Sequence, residues 1–89
     1  MEVIYAPKAL SDLAYWKKSG NKAIQKKIAQ LISAIQENPF EGIGKPELLK
    51  HELTGKWSRR IDKEHRIIYT VSENREIHLL HILSLKGHY

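Results

Sequence analysis

The chain has 89 residues, no cysteine, and 15 lysines and arginines against 10 carboxylates, a formal net charge of +5. That length supports one domain spanning residues 1–89, with a modest core. It leaves no material for disulfides or a thiolate metal site, and the lack of cysteine fits a cytoplasmic protein. No apolar run is long enough to span a bilayer, and Met1-Glu2-Val3-Ile4-Tyr5 has no basic leader segment, so no membrane association is expected. The positive balance favours polyanionic partners, either nucleic acid or an acidic protein.

Val3, Ile4 and Tyr5 predict a short first strand. Pro7 suits the first turn of a helix, where a missing N–H costs nothing. Leu10, Leu13, Ala14 and Trp16 follow at helical spacing, and Gly20 is placed to end the helix in the left-handed conformation. Asn21 is the expected N-cap of a second helix, whose Ile24, Ile28, Leu31, Ile32 and Ile35 form the most regular period in the chain. Lys22, Lys26 and Lys27 lie opposite, and Asn38-Pro39 stops the helix. The two should form an antiparallel αα-hairpin.

Gly42, Gly44 and Pro46 predict a loop from Phe40 to Leu48. Leu48 to Leu53 fits either a helical turn or an extended piece. Lys56 to Ile61 reads as a strand with Trp57, Arg59 and Ile61 on one face and Ser58 and Arg60 on the other. His65 to Val71 reads as the next strand, after a polar turn at Asp62-Lys63-Glu64. Ile77 to Leu85, apolar on both faces, reads as a central or covered strand. The expected fold is α+β, in the order β-α-α-β-β-β. An antiparallel sheet carries the αα-hairpin on one face, and the arginines occupy the other face or the strand ends.

Arg60 and Arg66 flank the predicted hairpin turn. If they pair across the ladder, both guanidiniums project from one face and can clamp a phosphate; a one-residue slip separates them. Sequence fits either register, and a solvated pair near Asp62 or Glu64 is the commoner arrangement. Glu47 sits in a Gly- and Pro-constrained loop, where a carboxylate can serve as a general base only within reach of its proton. Trp57 and Tyr69 suit either base stacking or the core. His78 and His81, three apart in a strand, should face opposite ways, and no helical histidine pair exists, so no metal site and no cofactor are expected. His88 and Tyr89 close the chain directly after the last strand.

Together, Pro39-Phe40-Glu41-Gly42-Ile43-Gly44-Lys45-Pro46-Glu47, Leu49-Lys50-His51, Leu53-Thr54-Gly55, Trp57-Ser58-Arg59-Arg60-Ile61, Glu64-His65-Arg66, Tyr69 and the terminal His88-Tyr89 resemble the Txe/YoeB family of type II toxin–antitoxin toxins, within the RelE-like superfamily. The resemblance covers nearly the whole chain. It implies a small microbial-RNase-like fold and a ribosome-dependent endoribonuclease that cuts mRNA in the A site. It assigns Glu47 as general base, Arg66 as transition-state arginine, His88 as general acid and Tyr89 as the substrate-orienting aromatic. Arg60, Lys50 and His51 become further substrate contacts. It also implies a cognate antitoxin whose acidic segment folds on binding, the 70S ribosome and mRNA as targets, and a homodimer. The implied reaction uses the 2′-OH as internal nucleophile and needs no metal. Two alternatives share the fold: a non-catalytic toxin of the ParE type, and a plain nucleic-acid-binding module.

Overall fold

The computed structural model describes residues 1–82. Strand β1 (Glu2–Tyr5) leads into helices α1 (Pro7–Ser19) and α2 (Lys22–Glu37), followed by strands β2 (Glu47–Leu48), β3 (Trp57–Arg60), β4 (Arg66–Val71) and β5 (Glu76–His81). A single 3₁₀ turn, His51–Leu53, lies between β2 and β3. Gly20 ends α1 at φ 73°, a conformation open to it because it has no Cβ. The Asn21 side chain accepts from the Ile24 N–H at 3.1 Å and starts α2.

The strands form one five-stranded sheet in the order β1-β5-β4-β3-β2. Strands β3, β4 and β5 form the expected antiparallel meander, with β5 flanked on both sides. Two features differ from the expected all-antiparallel sheet. β1 pairs with β5 in parallel, since the helical hairpin returns the chain to the same end. Glu47 and Leu48, placed by sequence in a loop, pair with Ser58 and Trp57 as a short edge strand.

Ala9 and Trp16 of α1 and Ile28, Leu31 and Ile35 of α2 pack with Ile67, Tyr69, Ile77 and Leu79 of the sheet. The registered pairs Tyr69–Leu79 and Val71–Ile77 place these strand residues on one face, so both helices cover that face. Each fully buried aliphatic side chain here contributes roughly 1.5–3 kcal/mol. The α1 pattern departs from its expected face. Leu10 is 55% exposed and Ala14 is also exposed, while Asp12 is 1% exposed. The helix is rotated because Asp12 is needed in the interior. Its Oδ2 accepts the Ile82 N–H at 2.8 Å, and Trp16 Nε1 donates to the Ile82 carbonyl at 2.8 Å. Lys8 pairs with the other Asp12 oxygen. The end of β5 is thereby fastened to α1 at both polar groups of one residue.

A bulge between Ile68 and Tyr69 interrupts the β4–β5 register, so His78 pairs with Thr70 and His81 with Ile68. Thr70 and Ile68 are two apart, so the histidines share a face rather than facing opposite ways; an extra residue resets the strand's alternation. Among the described residues no group of three metal-ligating side chains assembles around them.

Arg59 is the largest fully buried side chain among the described residues, and it lies on the helix-covered face rather than on the open face or the strand ends expected for the arginines. Its Nε donates to the Tyr69 hydroxyl at 3.1 Å, and its terminal nitrogens donate to the carbonyls of Asn38, Glu41 (2.9 Å) and Ile43 (3.2 Å). The Tyr69 hydroxyl donates to the Pro39 carbonyl at 2.6 Å. Burial raises the Tyr69 phenol pKa, although the Arg59 guanidinium opposes this, so the hydroxyl keeps its proton for Pro39. Four carbonyls of the loop between α2 and β2 are thus gathered by two side chains. We expect Arg59→Met to cost at least about 3 kcal/mol in urea unfolding, because several buried acceptors lose their donors at about 1–3 kcal/mol each. Arg60→Met, at an exposed position, should change stability by less than about 0.5 kcal/mol.

Candidate functional site

The loop fastened by Arg59 ends at Glu47. Gly44, at φ 85°, is held where a Cβ would lie 2.7 Å from Leu31 and 3.2 Å from Arg59 Cβ, and its carbonyl accepts from the Arg60 N–H at 2.7 Å. Lys45 then adopts φ 53° and His51 φ 60°, left-handed conformations that side chains other than glycine's seldom take. Two such residues bracket Glu47, a pattern concentrated at functional sites. Beyond β2, Leu49 N–H donates to the Lys56 carbonyl at 2.8 Å, which closes the 3₁₀ turn back onto β3.

Register decides what these elements bring together. Glu47 pairs with Ser58, and Arg60 pairs directly with Arg66. Directly paired residues share a face, and so do residues two apart on a strand. Glu47, Arg60 and Arg66 therefore all point from the face opposite the helices. Diagonal neighbours on adjacent strands lie ~7–8 Å apart, somewhat less at Cβ, within reach of long side chains. Lys50 and His51 join them around a cleft of about 380 Å³, walled on the apolar side by Leu48, Leu49 and Leu53. Of the residues singled out by sequence, five thus meet at one place: Glu47, Lys50, His51, Arg60 and Arg66. His88 and Tyr89 lie outside the described residues. Trp57 and Tyr69 turn to the helix side; Tyr69 is core, and Trp57 packs against Phe40 with ring centroids 5.1 Å apart.

The Arg60–Arg66 register, open in the sequence, is set by the turn between them. One Asp62 oxygen accepts the N–H groups of Glu64 (2.8 Å) and His65 (2.7 Å), and Ile61 N–H donates to the His65 carbonyl at 2.9 Å. The His65 ring packs edge-on against Trp16, centroids 4.8 Å apart, tying the turn to α1. Burial pushes the Asp62 carboxyl pKa up, but the two backbone donors and the charges of His65 and Arg66 outweigh it and hold the carboxyl below the ordinary carboxylate range. Two guanidiniums placed directly opposite are unfavourable unless other groups offset their repulsion. An anion between them would reverse that sign. The cleft therefore sets a carboxylate beside two guanidiniums of neighbouring strands, a combination suited to an anionic substrate.

A model of the YoeB-like toxins of bacterial type II toxin–antitoxin systems matches residues 5–89. The chain belongs to this family. It is 47% identical over 74 residues to the toxin YoeB of Escherichia coli K12, covering 83% of this chain and 87% of that protein. Its fold matches a YoeB/ParE toxin from Agrobacterium tumefaciens with a TM-score of 0.89 at 33% identity, over 100% of both chains. It matches a YoeB–YefM complex from Staphylococcus aureus with a TM-score of 0.82 at 42% identity, over 100% of this chain and 98% of that one. The protein is therefore a toxin of a type II toxin–antitoxin system, with the RelE-like fold expected from its motifs. Among the described residues no helix is long and apolar enough to cross a membrane.

Sequence inspection missed Arg59, Asp12 and Asp62 as the residues that hold this toxin's site in place. Only Asp62 carried a signal, as a short polar side chain at the head of a turn. Its depressed pKa means that its carboxylate stabilises the fold above the ordinary carboxylate pKa, and that this contribution is lost as pH falls through the depressed value. We expect Asp62→Asn to lower stability at pH 7 by less than about 1 kcal/mol, given its exposure. The gap from the native chain should close in urea titrations as pH falls below the ordinary carboxylate range.

Proposed function

We propose that this toxin is a ribosome-dependent endoribonuclease that cuts mRNA at the A site and so arrests translation. The observation that carries this reading is the convergence of Glu47 with Arg60 and Arg66 on one sheet face, in a cleft sized for a few nucleotide groups. Glu47 takes the proton of a ribose 2′-OH, which attacks the adjacent phosphorus. Arg66, with Arg60 beside it, neutralises the charge that grows on the phosphoryl oxygens. His88 protonates the departing 5′-oxygen, and Tyr89 orients the substrate; both assignments rest on the family resemblance. Lys50 and His51 hold flanking phosphates. The products are a 2′,3′-cyclic phosphate, or a 3′-phosphate after its hydrolysis, and a 5′-hydroxyl. The toxin works in the cytoplasm, and a cognate antitoxin neutralises it, as the YoeB–YefM assembly of the Staphylococcus aureus relative suggests.

Base and acid should each contribute ~10²–10⁴-fold. Primer extension on programmed ribosomes tests this directly. Glu47→Gln and His88→Ala should each reduce A-site cleavage by ~10²-fold or more while the proteins remain folded. Arg66→Lys should also fail, because an ammonium lacks the planar fork that grips two phosphoryl oxygens. Translation arrest without new RNA ends would instead indicate a binding toxin of the ParE kind.

A further inference from the structure

Among the described residues three polar or charged side chains are buried: Asp12, Ser58 and Arg59. Asp12 fastens Ile82, and Arg59 gathers the loop carbonyls. Ser58 is 2% exposed, yet its hydroxyl makes no hydrogen bond to any described residue. Buried hydroxyls are normally paired, and each exception calls for a reason.

The register supplies one. Ser58 lies on the face opposite the helices, between Glu47 of β2 on one side and Ile68 of β4 on the other. Two positions away along the chain, on the same face, stand Lys56 and Arg60, which carry donors and no acceptor. Ile68 is aliphatic. Of these neighbours only the Glu47 side chain can accept from the serine. Directly opposed residues have Cβ atoms ~4.5–5.5 Å apart, a gap that a hydroxyl and a carboxylate close with one hydrogen bond. Glu47 is exposed, and it too makes no hydrogen bond or ion pair with a described residue. Both members of the pair are thus uncommitted, and catalytic hydrogen bonds of this kind often tighten only around the substrate.

The proposed chemistry needs such a donor. A general base must turn one oxygen to the 2′-OH while its carboxylate is held still. Arg60 and Arg66 also carry donors, but a guanidinium bonded to Glu47 is drawn away from the phosphate. A neutral hydroxyl in the floor leaves both guanidiniums to the RNA. We propose that Ser58 is a positioning residue whose hydroxyl donates to the Glu47 carboxylate and aims it at the 2′-OH as RNA fills the cleft. The proposal rests on the reading of Glu47 as general base. At 2% exposure Ser58 has almost no surface to offer the RNA, so it acts through Glu47.

The test is single-turnover cleavage of mRNA on programmed ribosomes by the full chain. The variants are Ser58→Ala, Ser58→Thr and Ser58→Val, together with Glu47→Gln alone and combined with Ser58→Ala. Ser58→Ala should cleave ~10-fold more slowly, the weight of one hydrogen bond to a charged group. Its urea midpoint and its binding of a non-cleavable 2′-O-methyl RNA should stay at native values, since no hydrogen bond of the fold is lost. Thr and Val share a shape and differ in the hydroxyl, so Ser58→Thr should outpace Ser58→Val by a similar factor. That comparison holds even if alanine loosens the floor. On the Glu47→Gln background Ser58→Ala should cost nothing further, because its effect passes through the carboxylate. A native rate in Ser58→Ala, or equal rates for the Thr and Val variants, would overturn the proposal and leave Glu47 as the base. A further loss on the Glu47→Gln background would overturn it as well, by placing the hydroxyl on the substrate. If Glu47→Gln itself cleaves at the native rate, the general-base reading fails and the role of Ser58 falls with it.

Discussion

The buried guanidinium of Arg59 is the interaction on which the site depends. It sits in the core yet bonds outward, to three loop carbonyls and to Tyr69, which holds a fourth. A charge in such a place is tolerable only when donors and acceptors are matched around it. Its partners here are neutral dipoles of the loop that leads to Glu47. The energetic consequence is reciprocal. The loop carbonyls solvate the arginine, and the arginine supplies the donors that the loop lacks, having no ladder of its own. Gly42 and Gly44 complete the arrangement, because a Cβ at either would press on Arg59.

The same residue separates two kinds of arginine in one short strand. Alternation sends Arg59 to the helices and Arg60 to the other face. The first fixes backbone; the second faces Arg66 in a cross-strand pair that carries its own repulsion. Asp62 keeps that pair in register from the turn, and the Trp16–His65 contact ties the turn to α1. The site is thus supported from below by the core and from the side by the first helix.

Much of this was legible in the sequence because it is local. The period of α2, the Gly20 stop, the Asn21 cap and the meander of β3, β4 and β5 all follow from neighbouring residues. Motif resemblance also grouped Glu47, Lys50, His51, Arg60 and Arg66, which the fold brings to one cleft. What escaped was non-local. The parallel pairing of β1 with β5 joins segments remote in sequence, Glu2 opposite Glu76. The burial of Asp12 depends on Ile82, seventy residues away, and rotates α1 off its apparent apolar face. The bulge that puts His78 and His81 on one face has no marker among Leu79 and Leu80. Arg59 looks like any surface arginine until its loop is folded around it.

The central claim is that the carboxylate and the paired arginines act on a ribose 2′-OH and its phosphate. The most direct measurement replaces that one hydroxyl. An mRNA carrying a single 2′-deoxy nucleotide at the scissile A-site position is placed on programmed ribosomes with the native toxin, and the ends are mapped beside an all-ribose control. The account predicts cleavage of the control to a 5′-hydroxyl fragment and none at the deoxy position, with binding unchanged. Cleavage that persists at the deoxy nucleotide would contradict it, because the nucleophile would then have to come from elsewhere.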